Sequence, residues 1–415
     1  MDQFQYRAGE LHCEGVPLRQ IADALGTPTY VYSRAAILSS FRAYDRAFAE
    51  VPHLVCYAVK ANGNLAVLAA LAAAGAGADV VSGGELFRAL RAGIPARRII
   101  FAGLGKTREE MREALKAEIL MFNVESPAEI RALDQAAQEM GVRAPVSLRV
   151  NPDVDPHTHP YISTGLRSSK FGIPVVDALR EYEAAAAMAG IEVVGVQMHI
   201  GSQLTKISPF ADSVARIAAM VKELRERRIG IRAVDVGGGL GIRYRDESPP
   251  SHEEYARTLL PMLGELGVTV LLEPGRSVVG NAGVLLTRAL YNKVTPAKRF
   301  VIVDAGMNDL IRPSLYEAYH AIQPVREALG APTQAVDVVG PVCESGDFLA
   351  QDRQMPEVAE GDLLAVMSAG AYGFAMASQY NARPRAAEVL VEGGTYRVVR
   401  RRETYEDLIA GESLE

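Results

Sequence analysis

Cysteine is scarce in this chain: Cys13, Cys56 and Cys343 are the only three in 415 residues. So odd and scattered a set is no disulfide framework, and it fits a reducing cytosol rather than a stapled secreted domain. The opening stretch from Met1 to Arg7 lacks the apolar core of a secretory signal, so no export is expected. Long apolar runs are missing too. The longest, Leu65 to Ala76, is rich in alanine, ends among glycines and is too short to span a bilayer, so a buried helix is expected there. An excess of positive charge is absent as well. With 44 Lys and Arg against 50 Asp and Glu, the formal charge is -6, and no basic stripe marks a nucleic-acid surface. The one arginine cluster, Arg400 to Arg402, runs straight into Glu403, Glu406 and Asp407 and reads as a self-paired, solvated face.

What is present is the composition of an ordinary globular protein with a large core, 49% hydrophobic and 23% charged. At roughly 150 residues per domain the length suggests two or three domains. From about residue 54 one unit repeats: a short β-rich run, a turn with Gly or Ser, then a helical stretch. The candidate strands are 54–59, 78–81, 99–102, 120–124, 146–150, 193–200, 233–236 and 268–272. Helical patterns such as 84–92 and 208–227 lie between them, with apolar residues three and four apart. Strands alternating with helices argue for a parallel sheet, either a closed (β/α)8 barrel or an open doubly wound sheet.

The placement of unusual residues favours the barrel. Lys60, Asp79 with Ser82-Gly83-Gly84, Gly103, Arg149 with Asn151, His199, Gly237-Gly238-Gly239 and Glu273 all fall at or just past the carboxyl ends of these runs. In a barrel those ends meet on one face, where active sites are built. After residue 280 the rhythm changes to strands and turns at 300–304, 335–339, 363–366, 388–391 and 396–399, a mainly antiparallel β domain. The expected division is a barrel over 30–280 and a β domain from 1–29 plus 281–415, with the early strand 29–32 able to join either.

Several residues invite chemistry. Lys60, ending an apolar strand, would be partly desolvated, which favours the neutral amine that forms a Schiff base; a lysine snorkelling to solvent fits the segment equally well. Gly237-Gly238-Gly239-Leu240-Gly241 directly follows a strand, and its backbone N–H groups could approach a phosphate; a tight structural turn is the alternative. It lacks the G-x-G-x-x-G spacing of a dinucleotide site. Glu273-Pro274-Gly275-Arg276 follows the eighth strand, and barrel phosphate sites commonly lie after strands seven and eight. His199, before Gly201-Ser202, could serve a pocket or a core. Cys343 could be a small buried hydrophobe. Asp153, Asp155, His157 and His159 resemble a metal cluster, but their prolines suggest a shaped loop, and no metal is expected. Cys13 and Cys56 suggest no chemistry.

Read together, these segments resemble the diaminopimelate decarboxylases, members of the alanine-racemase-like (fold type III) pyridoxal-phosphate enzymes. The resemblance is carried by YAVKAN at 57–62, DVVSGGEL at 79–86, NPDVDPHTHPYISTG at 151–165, KFG at 170–172 and HIGSQ at 199–203. It continues through VDVGGGLG at 234–241, EPGR at 273–276, DAGMNDLIRPSLYEAYH at 304–320, GPVCESGD at 340–347 and GAYGFAMASQYN at 370–381. It implies a pyridoxal 5'-phosphate cofactor on Lys60, with His199 stacked on its ring, Glu273 at the ring nitrogen and Asp79 near the Schiff base. Ser202, Gly238, Gly239, Gly275 and Arg276 would hold the phosphate, with Tyr372 closing over it. Arg276, Arg312, Tyr316 and Tyr372 would grip the substrate, Glu344 would read its distal ammonium, and Cys343 would donate a proton. Cys343 and Glu344 would reach the site from the partner of a homodimer. The implied activity is decarboxylation of meso-2,6-diaminopimelate to L-lysine in the cytosol, without membrane or nucleic acid. Related decarboxylases of other basic or carrier-bound amino acids are the nearest alternative. A racemase would need a second base where Cys343 stands, and a non-catalytic cofactor carrier would not need Lys60 together with Cys343.

Overall fold

The computed structural model describes residues 3–154 and 170–414. Of the motif 151–165, only its first four residues therefore lie within the described chain, and Asp155, His157 and His159 lie outside it. The contacts divide the chain into two compact units. One comprises Ser39–Ile242 with Ser248–Ser277; the other comprises Met1–Leu38, Arg243–Glu247 and Val278–Glu415.

The first unit is a closed parallel barrel. Its eight strands are His53–Ala58, Gly77–Val80, Ile99–Phe101, Met121–Val124, Ala144–Asn151, Ile191–Gln197, Ala233–Asp235 and Thr269–Leu272. Each pairs in parallel with the next, and the eighth returns to the first through Val270 opposite His53 and Leu272 opposite Val55. Closure leaves no sheet edge among these eight. The strands are buried on both faces, as the fully buried Ile99–Phe101 illustrates, which is why they read as continuous apolar runs without alternation. All eight expected runs are strands, each shifted by one to three residues at an end. The strand expected at 54–59 stops at Ala58, and a single 3-10 turn, Val59–Ala61, takes over.

The helices on the outside begin at side-chain caps that the sequence supplies. Ser82 accepts from the Glu85 N–H, Ser126 from Glu129 with Pro127 in the first turn, and Thr107–Glu110 and Ser251–Glu254 form reciprocal capping boxes. Their buried positions recur three and four apart, as in Met111, Ala114 and Leu115. The apolar stretch after residue 65 is a helix, Leu65–Ala73, burying Val67, Leu68, Ala70 and Leu71. Among the described residues, no helix is long and apolar enough to cross a membrane.

Inside the barrel the filling changes with height. Cys56, Ile100, Met121, Val194 and Leu271 form an apolar plug. Two residues further on, where period-2 geometry returns a strand to the same face, Met121 is followed by Asn123 and Leu271 by Glu273. Asn123, Asp235 and Asp79 are fully buried, and Gln197 and Glu273 nearly so. Burying an apolar side chain contributes about 1.5–3 kcal/mol. A buried carboxyl costs energy unless it is hydrogen-bonded, so the polar level is paid for by the plug and the packed helices.

The second unit is built on Gly283–Val294, a strand of 12 residues. It pairs antiparallel with Thr29–Ser33, Leu363–Val366 and Arg299–Val303. Thr29–Ser33 also pairs in parallel with Ala387–Glu392, so the early strand belongs to this sheet. The central strand is absent from the sequence expectation for a physical reason. Its first five residues are buried and its last five exposed, so neither alternation nor a bounded apolar run announces it.

Candidate active site

Lys60 stands in the turn just past the first strand, with its side chain 39% exposed and Nζ 2.6 Å from Oδ2 of the fully buried Asp79. The apolar setting expected for this lysine is thus replaced by an ion pair, because Asp79, in the neighbouring strand Gly77–Val80, lies in register with Ala58. The second oxygen of Asp79 has no hydrogen-bond partner among the described residues.

Beside them lies a carboxyl pair. Asn123 Nδ2 donates to both Asp235 Oδ2 (2.9 Å) and Glu273 Oε1 (3.1 Å), and Gln197 Nε2 donates to Glu273 Oε2 (3.3 Å). The backbone N–H of Gly237 donates to Asp235 Oδ1 at 2.9 Å. Burial, and then the neighbouring carboxyls Asp235 and Asp79, hold Glu273 well above the usual carboxylate range. Burial likewise pushes Asp235 up to about 6. Two touching carboxyls at this depth favour a shared proton over two charges. Glu85, which accepts from the Val81 N–H at 2.8 Å, is pushed up to about 7, mainly by burial.

The glycine turn after the seventh strand is shaped by close approach. A Cβ on Gly238 would lie 2.3 Å from the Glu273 carbonyl oxygen, and Gly239, at φ +111, would place one 2.5 Å from that of Gly201. The Gly238 N–H donates to His199 Nδ1 at 3.2 Å, which fixes the proton of a neutral ring on Nε2. His199 is indeed held neutral: burial lowers its pKa well below the ordinary value, reinforced by the cations of Arg149 and Lys60. Arg276 Nη2 donates to Ser202 Oγ at 3.1 Å, joining the loops after the sixth and eighth strands. Gly275 lies against Ala58 and Ala61, where a Cβ would meet theirs at 3.1 and 3.0 Å.

The β unit carries the other predicted residues. Arg312 opens a short helix, Arg312–Tyr316, and is 5% exposed. Its guanidinium lies 5.2 Å from the ring centre of Tyr244 and 6.0 Å from that of Tyr316, and its Nε donates to His320 Nε2 at 3.2 Å. Cys343 and Glu344 are exposed on a turn rather than buried. Asp347 organises that turn by accepting the N–H groups of Val342 and Met307, both at 2.6 Å, and Asn381 accepts the N–H of Cys343 at 2.7 Å. Tyr372 sits at φ +56 between Gly370 and Gly373, a left-handed backbone that costs a side chain about 1–3 kcal/mol. Such strain marks a residue whose placement matters more than local comfort.

Comparison with known proteins gives this arrangement its family. Residues 34–280 match the family described as "Pyridoxal-dependent decarboxylase, pyridoxal binding domain". The diaminopimelate decarboxylase of Pseudomonas aeruginosa is 57% identical over 414 residues, spanning 100% of this chain and 99% of that protein. The chain belongs to the diaminopimelate decarboxylase family. Solved members have the same fold. The M. jannaschii diaminopimelate decarboxylase in complex with L-lysine superposes with a TM-score of 0.95 at 40% identity, covering 100% of this chain and 98% of that one. The Helicobacter pylori enzyme, also complexed with L-lysine, gives 0.91 at 45% identity, covering 95% and 98%.

The barrel residues fit the cofactor of this decarboxylase family. Lys60 would supply an amine for its aldehyde, Gly238 and Gly239 a backbone that no side chain could line so closely, Ser202 and Arg276 polar hydrogens for a phosphate, and Glu273 a carboxyl for the ring nitrogen. Three members of the barrel network were missed in the sequence: Asn123, Gln197 and Asp235. Their signal was available, since each is a polar residue inside a run otherwise fit for a doubly buried strand. Lys106 was missed too. Its side chain is fully buried and donates to Glu129 Oε1 at 2.6 Å and to the carbonyls of Gly103 and Asn123, tying the third and fourth strand ends together. Among the described residues no metal-binding group of carboxylates, histidines and cysteines occurs.

Proposed function

We propose that this chain decarboxylates meso-2,6-diaminopimelate at its D-configured centre, giving L-lysine and CO2. The carrying observation is Lys60 paired to Asp79 at the carboxyl end of a barrel that also presents Glu273 and the glycine turn there, in a chain 57% identical to a diaminopimelate decarboxylase throughout. When bound, pyridoxal phosphate supplies an electron sink for the carbanion that loss of CO2 leaves behind.

The chain's own residues do the rest. Lys60 would hold the cofactor aldehyde, and Asp79, paired with it, would orient its nitrogen. Glu273, steadied by Asn123 and Gln197, would hold the ring nitrogen and favour its protonated form. His199, neutral and braced by Gly238, would lie against the ring, while Ser202, Gly239, Gly275 and Arg276 would hold the phosphate and Tyr372 would close over it. Arg276, Arg312, Tyr316 and Tyr372 grip the amino acid. A cation on the departing carboxylate would stabilise the ground state over the transition state. Arg312 therefore suits the carboxylate that remains in lysine. The Cys343 thiol gives its proton to Cα after CO2 has left, and Glu344 accepts from the distal ammonium. Both act from the partner subunit of a homodimer. The working division is a cofactor-binding barrel within 30–280 and a β domain from 1–29 plus 281–415, with the strand Thr29–Ser33 joined to the β domain's sheet. The three free cysteines fit a cytoplasmic enzyme.

The test is product analysis with the cofactor-loaded protein, offered meso-diaminopimelate, L-ornithine, L-arginine and D-lysine side by side. Equal amounts of CO2 and L-lysine from diaminopimelate alone are expected. Turnover of another substrate in its place would overturn the roles of Arg312, Tyr316 and Glu344.

A further inference from the structure

Within the β unit, Arg312 is held by a residue with no assigned role. The helix Arg312–Tyr316 ends at Glu317, whose left-handed backbone (φ +51) turns the chain back, and the Ala318 N–H closes the turn on the Arg312 carbonyl at 3.3 Å. Three residues on, His320 arrives fully buried beneath Arg312. Its Nδ1 lies 2.9 Å from the Met367 carbonyl, and its Nε2 lies 3.2 Å from Arg312 Nε.

Those two partners determine the ring. A carbonyl only accepts, so Nδ1 carries the hydrogen; a guanidinium only donates, so Nε2 offers its lone pair. The imidazole is thus neutral and in one tautomer, and a second hydrogen on Nε2 would face the Arg312 N–H. Cations and aromatic rings crowd the surroundings. Arg353 Nη1 donates to the His320 carbonyl at 2.7 Å while stacking 4.0 Å from the Tyr319 ring centre, with Arg245 at 5.2 Å from the same ring. Tyr244 meets the His320 ring edge to face at 5.3 Å and also carries the Arg312 guanidinium.

We propose that His320 is a positioning residue for substrate recognition: by accepting from Nε of Arg312 it fixes the plane of the guanidinium and aims its terminal nitrogens at the carboxylate retained in the product. An acceptor at Nε orients the guanidinium plane, and a planar guanidinium can meet a carboxylate through two parallel N–H groups, the geometry in which arginine recognises that group best. A neutral acceptor does so without cancelling the cation, which a carboxylate in its place would do. This role rests on the reading of Arg312 given above.

The experiment compares His320→Asn, His320→Gln, Arg312→Ala and the double variant His320→Asn/Arg312→Ala as cofactor-loaded enzymes. Asparagine keeps a donor near Nδ1 and drops the acceptor near Nε2; glutamine offers an amide oxygen near Nε2. Expected for His320→Asn are a KM for meso-diaminopimelate and a calorimetric Kd for L-lysine each raised about tenfold, the worth of one charge-assisted hydrogen bond. Its kcat should stay within about threefold of the parent, with unchanged cofactor absorbance. His320→Gln should recover most of the affinity, and the double variant should bind no worse than Arg312→Ala alone. The proposal is overturned if His320→Asn lowers kcat without touching KM, if Gln rescues no better than Asn, or if the double variant's losses add. Parental affinity in Arg312→Ala would remove the reading of Arg312 and the proposal with it. Weakened binding in Arg312→Ala beside parental binding in His320→Asn would remove the proposal alone.

Discussion

At the carboxyl end of the barrel, burial raises the pKa of both Asp235 and Glu273; the charge of Asp79 adds to the first, and the charges of Asp235 and Asp79 add to the second. In the β unit, Arg312 is a buried cation whose supports include the neutral ring nitrogen of His320 and the faces of Tyr244 and Tyr316. These two clusters thus bury groups of opposite sign by different means. Carboxyls can take up a proton when crowded, so the barrel relieves repulsion by titrating. An arginine cannot release its proton at any ordinary pH, so the β unit surrounds it with aromatic faces and lone pairs. The barrel is therefore suited to hold a cationic ring and to respond to pH, whereas the β unit is suited to hold a substrate carboxylate at constant charge.

Separating chemistry from cofactor retention should sharpen that contrast most. Cys343→Ala, on the exposed turn of the β unit, should lower kcat about 10^3-fold, within the range for loss of a general acid. The cofactor absorbance should be retained, because no barrel residue is touched. Full activity in this variant would break the assignment of Cys343.

A smaller effect is expected from Glu273→Gln in the barrel, about 10^2-fold in kcat, with an altered cofactor spectrum. The same variant carries a signed stability prediction. Asp235 and Glu273 titrate above the carboxyl values of about 4 in an unfolded chain. The folded protein therefore keeps protons that the unfolded chain has already released. Their contribution to stability is full below pH of about 4; that of Asp235 declines as pH rises through about 6, and that of the likewise raised Glu273 is also lost on raising the pH. Glutamine cannot ionise, so cofactor-free Glu273→Gln should gain about 1–3 kcal/mol over the parent near pH 8 and nothing at pH 4. Parallel melting curves at both pH values would mean that Glu273 is ionised without cost.

Much of this was legible in the sequence. Eight apolar runs ending in Lys60, Asp79, His199, the glycine turn and Glu273 gave both the barrel and the face on which these residues meet, because strand ends are marked by abrupt changes of residue type. The ion pair between Lys60 and Asp79 was not legible, since it depends on the register that sets Ala58 opposite Asp79. Nor was the bridge from Asn123 to Asp235 and Glu273, which spans residues 112 and 150 positions apart. The strand Gly283–Val294 escaped because its burial changes along its length. His320 escaped for another reason. A histidine eight residues after an arginine carries no period of strand or helix, and only the left-handed turn at Glu317 brings the two together.

The central claim is that Lys60 holds the cofactor, and borohydride reduction of the cofactor-loaded protein followed by peptide mass mapping tests it most directly. Hydride addition to the C=N bond between lysine and cofactor leaves a stable secondary amine on whichever lysine formed it. The account predicts a single pyridoxyl-modified peptide, containing Lys60 within YAVKAN. Modification at another lysine, or none in protein that shows the bound-cofactor absorbance, would contradict it.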